Sequence, residues 1–524
     1  MTRPTGRTTA RAGGALLTAA LLLAAPLAPT AVAAPAAQFS WGPCPAPTPN
    51  ANGVPFTRDP RQQCATLRVP RDYRDPDAGT ITLTVSRLRT ADPAHRRGTL
   101  AVVPGGPGGS GLDYPGEMAK LLPADVLRSY DLIGFDERGV GNSTPVHCDL
   151  SAADRDAQLN YPFPGPDGSI TANLDQARRV ADGCAAASGG YLADVTTANS
   201  ARDLDRIRAA LSLPRISYLG SSYGTYLGQV YATLFPSHTD RVVLDSTVPP
   251  GGLEQGFRLF SEGFDDSFPA LARFVAAQDA TLHLGATPEA VRASYLRLAG
   301  EVDRDPLPLS GGRLLTGGGL RSVVYASLVK PSYYPLGARV LQLAEERDTT
   351  PAQAQAQAPA QAQAQAQAPV TAPMPAGAGT GGSGGNPLPQ VIPDNFLAAQ
   401  FAVICGDSAW PRDPAAYAAR TAADRARYPL TNGMSGNVWP CAFWHYGPKE
   451  PPVRADPDGP RNILMLQNRY DPDTTYNGAR QTQRAFGHRA AMVTFDTTAH
   501  GVDFTDPRVL APFTAFLLGG RLPS

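Results

Sequence analysis

Gly220-Ser221-Ser222-Tyr223-Gly224 is a G-x-S-x-G stretch, and the hydroxyl at its centre, Ser222, is suited to nucleophilic attack on an acyl group. An apolar run at 216–219 precedes it and a helix-like run at 225–234 follows it. That is the context in which a strained strand-to-helix turn exposes a serine. The bare pattern is weak in a chain with 52 glycines, and Gly381-Gly382-Ser383-Gly384-Gly385 also matches it, inside a low-complexity stretch. Only Ser222 has a strand before it and a helix after it.

A serine hydroxyl is a poor nucleophile until a base takes its proton, and an acid must orient that base. After a strand–serine–helix turn the expected chain order is acid, then histidine. Of seven histidines, only His488 and His500 come late enough; His488 precedes the apolar run 492–495 and His500 follows it. Catalytic loops sit at the carboxyl ends of strands, so His500 is the expected base. The apolar run 463–466 leads to Asp471-Pro472-Asp473. Asp473 stands just before Thr474 and a predicted helix, where N-capping accounts for it, which leaves Asp471 as the expected acid.

Acyl chemistry also needs two backbone N–H groups aimed at the developing oxyanion. Tyr223, directly after the nucleophile, is expected to supply one. The loop Pro104-Gly105-Gly106-Pro107-Gly108-Gly109-Ser110-Gly111 follows an apolar run at 99–103 and is expected to supply the other, from Gly106 or, next, Gly105. The same loop contains G-x-G-x-x-G (Gly106, Gly108, Gly111), with Asp131 and Asp136 near the distance of a ribose-binding acid. A dinucleotide site is the main rival reading. Against it stand Pro107, the second Gly-Gly pair, and the lack of a helix signal at Gly111. No lysine follows the glycines, so a phosphate-binding P-loop is excluded, and no two histidines stand at metal-ligand spacing. No cofactor or metal is expected.

The elements that must carry these groups are short. The segment 80–89 nearly alternates, as a half-buried strand does. The runs 99–103, 132–135, 216–219, 242–244, 463–466 and 492–495 are continuous, as parallel strands covered on both faces are. Helical spacing separates several of them, as at 198–211, where Asn199 or Ser200 could cap. The alternation predicts a doubly wound, mostly parallel α/β sheet. The stretch 251–395 breaks the rhythm, with helical patterns at 270–275 and 290–298 and then an Ala/Gln/Pro/Gly tract at 350–386 whose composition predicts disorder. It reads as a helical cap inserted between core segments 34–250 and 396–524.

Residues 1–33 carry Arg3, Arg7 and Arg11, an apolar run, and small residues ending Ala31-Val32-Ala33, a signal-peptide pattern that predicts a secreted, extracellular protein. Neither a membrane span nor a lipid anchor is expected. Lys+Arg and Asp+Glu are both 46; loss of 1–33 removes three arginines and no acids, leaving 43 against 46. Near-neutral charge gives no case for nucleic acid or an anionic membrane as partner. About 490 remaining residues favour one large domain with an insertion, or two domains. Six cysteines are expected to pair as sequence neighbours: Cys44 with Cys64, Cys148 with Cys184, Cys405 with Cys441.

Three stretches, 103–111, 130–141 (Tyr130-Asp131-Leu132-Ile133-Gly134-Phe135-Asp136-Glu137-Arg138-Gly139-Val140-Gly141) and Gly220 to Thr225, resemble the secreted actinomycete tripeptidyl aminopeptidases, relatives of prolyl aminopeptidase with the α/β-hydrolase fold. Cys405-Gly406-Asp407, Trp439-Pro440-Cys441, Asp471-Pro472-Asp473-Thr474-Thr475 and Thr498-Ala499-His500-Gly501 resemble that family's terminal segment. The resemblance covers roughly 40–250 and 395–520. It implies a serine exopeptidase forming an acyl-enzyme on peptides with a free N-terminus, and a cap whose acids hold the substrate's α-ammonium. Glu254, Glu262, Asp265 and Asp266 lie at the right place in the chain, and none is singled out. Relatives often carry a Cys pair in the cap, where this chain has Gln278 and His283, so the number of residues released stays open.

Two other readings compete. A serine esterase or amidase acting on small acyl groups would use the same residues, although Arg258, Glu262, Asp265, Asp266, Arg273 and Arg292 make the cap polar for lipid esters. A catalytically dead binding module would have lost the serine, acid or histidine, and all three are present. Dehalogenases and epoxide hydrolases of this fold need aspartate at the position of Ser222. Oligomeric state is not legible.

Overall fold

The computed structural model describes residues 39–48, 58–156, 161–309, 314–347 and 391–523, all within the unit Ala37–Ser524. The signal-like segment 1–33, the tract 350–386 and the second G-x-S-x-G match lie outside them.

Eight strands form the central sheet: β1 (Gln63–Asp72), β2 (Asp75–Leu88), β3 (Gly98–Val103), β4 (Tyr130–Phe135), β5 (Ile216–Ser221), β6 (Thr239–Asp245), β7 (Ile463–Asn468) and β8 (Ala490–Phe495). Their order across the sheet is β1-β2-β4-β3-β5-β6-β7-β8. The first two pairings, β1 with β2 and β2 with β4, are antiparallel; every pairing from β4 to β8 is parallel. The continuous apolar runs of β5 and β7 are buried at every position, because helices cover both faces of a parallel sheet. β8, at the edge, is buried only at its two ends.

This order brings the carboxyl ends of β3 to β8 to one edge, with the Gly-rich loop, Asp136, Ser222, Asp245, Asp471 and His500 each following its own strand. Between β6 and β7 the chain builds helices, among them α1 (Phe260–Ala276), α2 (Pro288–Arg304), α3 (Gly317–Leu328), α4 (Tyr334–Glu346) and α5 (Asp394–Asp407). Phe264, Leu271, Tyr295, Leu298, Val323 and Leu341 from these helices are buried in one apolar cluster with the β5–β6 core. The helix expected at 198–211 runs Thr197–Ala210, and its cap is Thr196, whose hydroxyl accepts from Asn199 N at 3.3 Å. Asn199 and Ser200 are instead buried inside the first turn.

The disulfides join Cys44 to Cys64, Cys148 to Cys184 and Cys405 to Cys441. The last ties α5 to the segment that leads into β7.

Candidate active site

Ser222 occupies a positive-φ turn (φ 55°, ψ −123°) between β5 and the helix Tyr223–Leu234, a conformation that costs a non-glycine residue of order 1–3 kcal/mol and persists only when its surroundings enforce it. Neighbouring glycines make the turn possible. A Cβ on Gly220 would lie 2.3 Å from the Gly224 carbonyl oxygen, and one on Gly224 would lie 2.6 Å from that of Val103. The second approach seats the start of the helix against the end of β3, where the Gly-rich loop begins. Ser222 N donates to the Asp245 carbonyl at 3.0 Å.

Three consecutive residues after β4 brace this arrangement. Asp136, fully buried, accepts from Ser110 Oγ at 2.5 Å, Leu112 N at 3.0 Å and Asn142 N at 2.8 Å, pinning the Gly-rich loop. Glu137, which burial pushes up to about 7, accepts from the Tyr223 hydroxyl at 3.2 Å. Arg138 forms a buried two-pronged pair with Asp203, 2.8 and 2.7 Å, and also reaches the Arg71 carbonyl at 2.7 Å. The dinucleotide reading fails on these contacts. Asp136 is committed to the loop, Asp131 accepts from Thr90 N and pairs with Arg96, and a Cβ on Gly111 would lie 2.1 Å from the Phe135 carbonyl oxygen. The first helix after the loop, Tyr114–Met118, has five residues and starts beyond Gly111.

At the other side of β6, His500 Nδ1 lies 3.0 and 3.2 Å from the two carboxylate oxygens of Asp471. Asp471 is held in turn by Asp473 N, Thr474 N and the Thr474 hydroxyl, each at 2.9 Å. His500 N donates to the Val329 carbonyl, just beyond α3, at 2.8 Å, so the inserted helices help to place the imidazole. Burial alone lowers the His500 pKa, but the charges of Asp471 and Asp473, the Asp471 hydrogen bond and the Asp245 charge outweigh it and hold it at about 9. Ser222 Oγ forms no hydrogen bond to His500 here; such contacts tighten in substrate complexes.

Several contributors were not singled out in the sequence. Asp245, at the end of β6, links the two halves: its carbonyl takes Ser222 N, and its carboxylate, pushed up to about 6 by burial, accepts from Val502 N at 2.9 Å. Ser246 Oγ accepts from Gly501 N at 2.7 Å, and Asn468 Nδ2 donates to the carbonyls of Ala499 and Gly501. A strand-end acid in Leu244-Asp245-Ser246 was the available signal. Asp473 is not the helix cap expected of it: Thr475 caps the helix Tyr476–Phe486, and Asp473 Oδ2 lies 3.9 Å from His500 Nε2.

Of the cap acids, Glu254 lies between Arg258 and Arg420, at 3.7 and 3.8 Å, and Glu262 faces Asn477 at 3.5 Å. Asp265 is half-buried and Asp266 exposed; desolvation shifts both carboxyls upward, Asp265 to about 6. Among the described residues, the group His147, Asp149 and Asp394 has ligand-type atoms within 4.8 Å of one another. Asp394 is already occupied there by Cys148 N and Leu150 N, each at 3.0 Å. No described helix is long and apolar enough to cross a membrane.

Two family models match the chain: one described as "alpha/beta hydrolase fold" over residues 98–310, and one described as "TAP-like protein" over residues 428–524. The chain is 32% identical to a tripeptidyl aminopeptidase of Streptomyces lividans, over 88% of this chain and 82% of that protein. It is 28% identical to serine protease Hip1 of Mycobacterium tuberculosis, over 88% of this chain and 86% of that protein. It is also 30% identical to carboxylesterase B of the same organism, over 97% of this chain and 95% of that protein.

Proposed function

The chain belongs to the tripeptidyl aminopeptidase-like branch of the α/β-hydrolases, and from that premise we propose that it is a secreted exopeptidase releasing short peptides, such as tripeptides, from free N-termini. At the coarser level it is a serine hydrolase of the peptidase type. The carboxylate–imidazole pair Asp471–His500, on loops at the same sheet edge as the Ser222 turn, carries the serine-hydrolase chemistry, and the likeness to a tripeptidyl aminopeptidase over 88% of the chain supports the finer reading.

In the proposed reaction Ser222 Oγ attacks the carbonyl carbon of the scissile bond while His500 Nε2 takes its proton. Asp471 keeps Nδ1 protonated and stabilises the imidazolium. The oxyanion is held by Tyr223 N–H and by Gly106 N–H. His500 then returns the proton to the departing amine, the C–N bond breaks, and water cleaves the acyl-enzyme by the reverse sequence. Export is supported by the pattern at 1–33 and by the pairing of all six cysteines, which suits an oxidising compartment.

Protonated His500 cannot accept the serine proton. With its pKa at about 9, kcat/KM is expected to climb about tenfold per pH unit from roughly pH 6 to 7.5, below the titration of the substrate's own α-ammonium. A pH–rate profile checks this, and a flat limb over that range would contradict His500 as base.

A small-ester or amide hydrolase is the second reading, favoured by the likeness to carboxylesterase B. Chromogenic peptides of one to four residues, each with a free or a blocked N-terminus, separate the two. Cleavage restricted to free amines is expected; indifference to the amine, or cleavage of simple esters alone, would move the protein to the second reading.

A further inference from the structure

Asp473 is a partly buried acid that the reaction above does not use. Thr475 has taken over its expected capping role, its hydroxyl accepting from Gly478 N at 3.2 Å. The Asp473 carboxylate instead ends beside His500 Nε2, the ring nitrogen opposite the one that Asp471 holds. Its Oδ1 is enclosed and accepts no hydrogen bond from any described residue, and among the described residues its one ionic contact is His500. The side chain keeps 18% of its surface open.

Aromatic rings stand near it. Both Tyr161 and Tyr325 feel the Asp473 charge, and their ring centroids lie 4.6 Å apart, with Phe260 at 5.9 and 5.8 Å. The Tyr325 hydroxyl donates to the Pro472 carbonyl at 3.0 Å. Above that carbonyl passes α1 at Gly263, where a Cβ would come within 2.2 Å of the Pro472 oxygen. The helix backbone therefore closes over the Asp471–Asp473 turn. A carboxylate oxygen enclosed without a hydrogen bond, as Asp473 Oδ1 is, is costly unless a further donor or cation meets it, and electron-rich rings near an acid suit an ammonium.

We propose that Asp473 receives the α-ammonium of the peptide substrate, with Tyr161 and Tyr325 as the walls of that subsite. The assignment rests on the exopeptidase reading and gives it a measuring point. With Asp473 Oδ2 3.9 Å from His500 Nε2, and contacts of about 3 Å from the ammonium to the carboxylate and from Nε2 to the attacking oxygen, the ammonium lies roughly 10 Å from the carbonyl that Ser222 attacks, a span of about three extended residues. The released piece is thus a tripeptide or shorter.

The test compares Asp473→Asn with the wild type on the free and blocked chromogenic peptides of one to four residues, reading the ratio of kcat/KM between each free and blocked pair. Fluorophosphonate labelling reports a folded site, and Asp473→Ala serves if the first variant does not fold. The wild type is expected to favour free amines up to three residues, and the variant to lose about 10- to 100-fold of that preference. A general structural defect would lower both members of each pair and leave the ratio unchanged. Retained preference in the variants would overturn the Asp473 assignment alone, whereas a wild type with no preference would overturn the exopeptidase reading as well.

Discussion

Ser222→Ala is expected to lower kcat by about 10⁴- to 10⁶-fold and to remove all labelling by a fluorophosphonate, while thermal unfolding stays close to wild type. The expectation follows from what the substitution deletes and what it leaves. Alanine removes the attacking oxygen, for which the chain offers no substitute in the turn, since Ser221 points its hydroxyl at Asp245, 3.2 Å away. The supports of the turn do not depend on the Ser222 hydroxyl. They are Ser222 N on the Asp245 carbonyl, Thr225 N and Thr225 Oγ1 on the Ser222 carbonyl at 2.8 and 2.6 Å, and the close passage of Gly224 over Val103. Activity should therefore fall without the fold. Residual turnover would come from substrate binding and the oxyanion donors.

Asp471→Asn is expected to cost about 10⁴-fold in kcat. The carboxylate accepts from Asp473 N, Thr474 N, Thr474 Oγ1 and His500 Nδ1, so an amide brings two donors into a ring of donors. To relieve the conflict the imidazole must turn or shift its proton to Nε2, and either change leaves Nε2 unable to take the serine proton. Because serine, histidine and aspartate act as one unit, adding Asp471→Asn to Ser222→Ala should lower activity little further. Steady-state kinetics on one free-amine peptide checks both statements. A loss below tenfold for Asp471→Asn would shift the orienting role to another acid, Asp245 first.

The fold was legible because it repeats a simple rule. Continuous apolar runs marked β3 to β8, and the near-alternation at 80–89 marked β2, although its expected open face is covered too: Thr84 and Ser86 are buried. Ser222, Asp471 and His500 could be named because each follows a strand, and parallel strands carry their loops at one edge. Asp245 escaped notice although it also ends a strand. Its use depends on β6 lying between β5 and β7, so that one residue meets both the Ser222 turn and the 500–502 loop, and sheet order is a long-range property.

Asp473 was misjudged for a related reason. N-capping is a local rule that reads only the next few residues, whereas the position of this carboxylate is set by α1, more than 200 residues earlier in the chain, passing over Pro472 at Gly263. Thr196 was passed over as a cap for Asn199 or Ser200 because boundaries shift by a turn when the first turn itself is buried. The Asp136-Glu137-Arg138 series carries the family resemblance, yet its bracing role is not local, because each side chain reaches a partner distant in sequence: the Gly-rich loop, Tyr223 and Asp203.

The nucleophile itself can be located directly. The protein would be reacted with a fluorophosphonate, digested, and the modified peptide sequenced by mass spectrometry. A single adduct on Ser222, absent from the Ser222→Ala protein and suppressed by a free-amine peptide substrate, is the predicted result; an adduct on another residue, or full labelling of Ser222→Ala, would contradict the account.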